Sequence, residues 1–186
     1  MIRRALAAGL ILSICASLLT LGTDEAPLGD YLGQEPPGQV PEPFAPEILQ
    51  YRSFAGTFNP ELTEFYFTGQ MVPDEPNRIL GLHLIEGRWR TIGRAPFVGR
   101  FTAIEPHIAP SGDRVFYTAV DGPGRWKGYV AERSPEGWGA PQALPSPINH
   151  PDYLPMYFSS TADGTLYWTK LGDDGDFIVR TPRLAA

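Results

Sequence analysis

The chain has 186 residues and a formal net charge of −6, and its 20 glycines and 20 prolines make up more than a fifth of it. Globular averages are roughly 7% glycine and 5% proline, so long helices are disfavoured, while 42% hydrophobic and 12% aromatic content excludes wholesale disorder. The balance of 15 Lys+Arg against 21 Asp+Glu, with no basic block, argues against nucleic acid as a partner, because that binding rests on phosphate neutralisation.

Arg3 and Arg4 precede an apolar stretch from Ala5 to Gly22 that only Ser13, Ser17 and Thr20 interrupt. A basic region followed by an apolar one reads as a secretory signal over residues 1–22, with small residues Thr20 and Gly22 placing cleavage ahead of Thr23. The competing reading is an uncleaved anchor in the inner membrane, since the stretch approaches the ~20 residues that span a bilayer. Both put the body of the protein outside the cytoplasm, in the periplasm or secreted. Cys15 is the one cysteine and lies within this stretch, so residues 23–186 form no disulfide and hold no thiol nucleophile. The bulky Ile14 before it disfavours a lipid-attachment box.

Residues 23–49 hold Pro27, Pro36, Pro37, Pro41, Pro43 and Pro46. Proline fixes φ and removes an amide donor, so this segment is expected to be an extended arm, docked through Tyr31, Leu32 and Phe44.

From residue 50 the chain repeats itself with a period of about 50 residues. Phe58–Thr68 recurs as Ile108–Thr118, with Pro60 over Pro110 and the run Phe65–Phe67 over Val115–Tyr117; a third copy spans Phe158–Thr169. Each copy is a tight turn feeding a short apolar run, and Gly, Asp and Ser supply what such turns need. A second apolar run follows each, at Arg78–Ile85, Gly128–Ala131 and Asp176–Val179, and Trp89 and Trp138 mark a third in the first two copies. Short β-rich runs cannot bury both faces as an isolated sheet, but copies stacked on one another can. The fold class is therefore all-β: a partial β-propeller of about three blades with antiparallel strands, in repeats of about 50–99, 100–149 and 150–186.

These residues resemble the TolB-like branch of the WD-repeat-type β-propellers, common in bacterial envelope proteins. Ala109–Thr118 and Thr161–Thr169 look like good copies of its turn and aromatic strand, whereas Asn59–Thr63 has lost the glycine. The resemblance covers residues 50–186 and implies a fold more than a function, since such propellers serve as scaffolds, binders and enzyme platforms. Propellers close with roughly four to eight blades. Three blades are expected to leave two apolar faces open and the last blade short of an outer strand. A truncated longer propeller, self-association with a second copy through the open faces, and an open arc are the three readings.

Signals for chemistry are sparse. His83, His107 and His150 are too widely spaced for a metal motif, and no Gly-x-Ser-x-Gly elbow occurs. His83 reads as a strand histidine, and His107 could pair with Glu105 as an acid–base unit if the two share one side of a strand. Asp173, Asp174 and Asp176 could gather around Ca²⁺, but a polar hairpin turn explains them as well. No cofactor and no metal is expected. Propeller geometry places a binding face where the inner strands start, at Arg52–Gly56, Ala103–His107 and His150–Tyr153, which singles out Glu105, His107, Asp152 and Tyr153. The leading expectation is an exported, non-catalytic binding or scaffold module of the bacterial envelope with a protein, peptide or glycan partner. The alternatives are a carbohydrate-active hydrolase using channel carboxylates such as Glu105 and Asp152, and a remnant of a longer propeller without independent function.

Overall fold

The computed structural model describes residues 29, 31–49, 52–70 and 72–182. The leader at 1–22, Cys15 and the cleavage point before Thr23 lie outside the described residues.

Three antiparallel sheets follow one another along the chain. The first is β1 (Phe54–Phe58), β2 (Glu64–Gly69), β3 (Arg78–Ile85) and β4 (Arg88–Arg94), paired in that order. The second is β5 (Thr102–Ile108), β6 (Arg114–Val120) and β7 (Lys127–Ser134), with two short pieces, β8 (Gly137–Trp138) and β9 (Gln142–Ala143), sharing the outer edge of β7. The third is β10 (Tyr153–Ser160), β11 (Leu166–Gly172) and β12 (Gly175–Thr181), with no fourth strand among the described residues. Each repeat is thus one blade, and the fold is a partial β-propeller.

Strand alternation explains why the apolar runs are nearly continuous. In β2, Phe65 and Phe67 join one core cluster while Tyr66 joins another on the opposite face. In β6, Val115 and Tyr117 point toward the first sheet, and Phe116 packs with Phe158, Leu166 and Trp168 of the third. A central blade is covered on both faces, so both sets of alternating positions are mainly apolar, and the buried Thr118 is satisfied by donating its hydroxyl to the Pro155 carbonyl at 2.9 Å.

The turns between the first and second strands share one conformation. Leu62, Gly112 and Gly164 occupy equivalent left-handed positions, with φ of 54°, 73° and 86°. Leucine there costs about 1–2 kcal/mol that glycine avoids. The buried Asn59 offsets it: its Oδ1 accepts the N–H groups of Thr63 at 2.8 Å and Glu64 at 2.7 Å. The turn that has lost its glycine keeps its shape through that amide.

Two open apolar faces were expected, and the first is covered. Leu32 of a short 3-10 turn (Tyr31–Gly33), with Ala45, Ile48 and Leu49, packs against Phe65, Phe67, Leu80 and Trp89. Trp89 Nε1 also donates to the carbonyl of Gly29 at 2.7 Å. The arm thus takes the place of a neighbouring blade. On the other side, register puts Thr169, Ile178 and Arg180 on the outward face of the third sheet, where Ile178 is 80% exposed.

Candidate functional site

The strands β1, β5 and β10, which pack on one another at the inner edge of the arc, carry a bulge at the same position. Pairing slips between Phe54 and Thr57, between Ile104 and His107, and between Met156 and Ser159. The first bulged residue in each, Ala55, Glu105 or Tyr157, has a φ of 51°, 59° or 54°. None is glycine, so each holds backbone strain on the order of 1 kcal/mol or more, and bulges of this kind re-aim side chains. Residues 55–57, 105–107, 157 and 158 line an open groove of about 220 Å³.

Glu105 is central to this groove and is only 4% exposed. Its amide donates to Thr68 Oγ1 at 2.6 Å, and its carboxyl Oε2 accepts the N–H of Tyr157 at 3.1 Å. One residue therefore links the bulge of the second blade to both neighbours. Burial pushes the carboxyl above its ordinary range, and the Tyr157 N–H partly opposes that shift. The other carboxyl oxygen has no protein partner among the described residues.

His107 lines the same groove from within β5. Its Nε2 lies 2.9 Å from Ser160 Oγ, and its ring stacks over Phe116. Burial lowers the imidazole to about 4, so it is neutral at pH 7. Glu105 and His107 share the groove without forming an acid–base pair, since each bonds to the third blade instead. Simple alternation places them on one side of a strand, and the bulge at Glu105–Pro106 breaks that alternation.

Asp152 and Tyr153 lie elsewhere. They sit at the start of β10, about 13 Å along an extended strand from Tyr157. Asp152 is exposed, with Oδ2 3.5 Å from His150 Nδ1. Tyr153 stacks on His150 and Trp168, carries Lys170 Nζ 5.2 Å above its ring, and donates its hydroxyl to the Pro147 carbonyl. Glu105 and Asp152 are not equivalent positions: the bulge register matches Glu105 with Ala55 and Tyr157, because the third repeat carries two extra residues ahead of its bulge. Sequence reasoning passed over Tyr157, which is 57% exposed at the groove rim. Its signal was an aromatic one residue ahead of the buried Phe158.

His83 belongs to a polar network between the first two blades. Arg133 of β7 donates to both carboxyl oxygens of Glu64 in β2, at 2.9 and 2.5 Å. Tyr66 donates its hydroxyl to Glu64 Oε2 at 3.1 Å, and that hydroxyl lies 2.9 Å from His83 Nε2 and accepts Trp138 Nε1 at 3.3 Å. Burial alone raises the Glu64 carboxyl, but the hydrogen bonds and charge of Arg133 outweigh it and hold the group below its usual range. Burial lowers the His83 imidazole against the pull of Glu64. The three aspartates of the candidate Ca²⁺ turn lie at the β11–β12 hairpin, where Lys170 Nζ holds Asp174 Oδ2 at 2.6 Å. Among the described residues, no group of three or more His, Cys, Asp or Glu is placed to hold a metal.

No family model and no curated protein matches the chain. Among solved structures it is similar to a provisionally assigned TolB from Agrobacterium tumefaciens, with a TM-score of 0.50 and 12% identity over 70% of this chain. The match spans 46% of that structure's chain. At this identity the likeness concerns the fold, and it agrees with a partial β-propeller.

Proposed function

We propose that this chain is an exported, non-catalytic propeller module of the bacterial envelope that binds a peptide segment of a partner protein at the inner groove. The observation that carries the reading is the alignment of three strained bulges around a buried carboxyl, one oxygen of which has no partner among the described residues. Such an oxygen accepts an N–H from an incoming chain, and the exposed Tyr157 ring offers a stacking surface beside it. The export half of the reading rests on the basic and apolar pattern of residues 1–22. No helix among the described residues is long and apolar enough to cross a membrane.

The carbohydrate-hydrolase alternative has less behind it. Glycoside hydrolysis ordinarily takes two carboxylates roughly 5–9.5 Å apart, and Glu105 is the one carboxylate among the described residues that line the groove.

The test is an NMR titration with peptide and oligosaccharide panels, reading the amides of Glu105, His107 and Tyr157. Saturable shifts at those positions, weakened in Glu105→Gln and Tyr157→Ala, are expected with peptides. Shifts confined to other surfaces would overturn the peptide site. Glycoside turnover that Glu105→Gln abolishes would favour the hydrolase. Sequencing the exported protein should find Thr23 first, and an intact N-terminus would remove the cleaved-leader reading.

A further inference from the structure

A second pocket lies where the arm crosses the first blade, and its walls differ from those of the inner groove. Gln34 closes the arm into a loop: its Nε2 donates to Glu42 Oε1 at 3.2 Å and to the Pro43 carbonyl at 3.1 Å, and its Oε1 accepts the Ala45 N–H at 2.6 Å. That loop holds Phe44 in T-shaped contact with Phe58 and Phe65, with centroids 6.0 and 5.7 Å apart, while Tyr31 meets Phe58 at 6.4 Å. The rings line an open cavity of about 410 Å³. Glu35 and Glu42 stand at its exposed rim, and no Lys, Arg or His is among its described lining residues.

We propose that this pocket binds an apolar organic cation of the alkylated-ammonium class. Aromatic faces carry negative quadrupole charge and attract a poorly hydrated cation, and two carboxylates at the mouth add to that attraction. An anion meets π faces and carboxylates together and is repelled. A neutral apolar molecule fits the walls but gains nothing from Glu35 and Glu42. The volume falls within the roughly 300–1,000 Å³ of small-molecule sites. The carboxylates are exposed, so placing a cation beside them strips little water from either. This site shares Gly56 with the inner groove, but its aromatic and acidic walls are its own, and the reading does not depend on what that groove binds.

The experiment is a titration of the protein with choline and with its neutral carbon isostere, read by amide shifts at Gln34 and Ala45, which lie outside the inner groove. Saturable shifts with choline, and binding of the isostere about tenfold weaker, are expected. The double variant Glu35→Gln with Glu42→Gln should weaken choline about tenfold while leaving the melting temperature unchanged, because both side chains are exposed and a glutamine at 42 keeps an oxygen to accept from Gln34 Nε2. Phe44→Leu, which keeps apolar contact but removes a π face, should weaken choline and leave the isostere as it was. Equal binding of the two probes, or choline binding unaltered in the double variant, would overturn the proposal, as would choline shifts absent from these amides.

Discussion

Removing Arg133 tests whether the polar network between the first two blades holds them together. Its guanidinium makes two hydrogen bonds to Glu64 and lies 4.1 Å over the Trp138 ring, and the two charged side chains are 31% and 14% exposed. Breaking a fully buried pair costs about 3–5 kcal/mol, whereas an exposed pair contributes about 0.2–1 kcal/mol. The intermediate exposure puts Arg133→Met at about 2–3 kcal/mol, a fall in melting temperature of about 5–10 °C for a chain of this size. Glu64→Gln keeps most of the geometry and should cost about 1–2 kcal/mol. The double variant should recover part of the loss, giving a coupling energy of about 1–2 kcal/mol in a denaturant-unfolding cycle. The Glu64 carboxyl is held below its usual range, so the coupling is present at neutral pH and shrinks as pH falls through the folded-state value. A cost below about 0.5 kcal/mol for Arg133→Met, or strictly additive single changes, would refute the network's role.

Three further outcomes are expected. His107 has a folded-state value of about 4 against 6.5 for a free histidine, so the unfolded chain takes up the proton first as pH falls. Up to about 3 kcal/mol of stability, complete above pH 6.5, should fade as pH drops toward 4, and His107→Gln should flatten that part of the melting profile. Gly128→Ala puts a Cβ 2.7 Å from Phe158 Cζ and 3.0 Å from Leu144 Cδ1, and the overpacking should cost about 1–3 kcal/mol in chemical denaturation. Asn59→Ala removes the bonds to the amides of Thr63 and Glu64 and should cost about 2 kcal/mol, more than Asp113→Ala in the glycine-containing turn of the second repeat.

Much of the fold was legible along the chain. The apolar runs at Phe65–Phe67, Val115–Tyr117 and Leu166–Trp168 are the second strands of three sheets, and the runs that follow them are the third strands. The missing glycine at Asn59–Thr63 was legible too, though not its remedy, because a side-chain amide folding back on its own turn leaves no periodic trace. The candidate site was less legible. Glu105 and His107, singled out through architecture, line the inner groove together, whereas Asp152 and Tyr153, counted on a uniform repeat, lie at the start of β10, away from the bulge, which the third blade carries two residues later than that count.

Alternation of period two, turn residues and an approximate 50-residue repeat are local properties, and through them the amino-acid order alone determined an all-β, blade-forming chain. Where the bulges fall, and that Glu105 bonds across to Tyr157 and Thr68, depended on pairings between residues of different repeats. The same holds for the arm over the first blade, where a proline-rich stretch with no periodicity of its own covers Phe65 and Trp89. Tertiary structure decided those features because a buried polar group or an open apolar face is satisfied by whatever packs against it, and that partner lies far away in sequence.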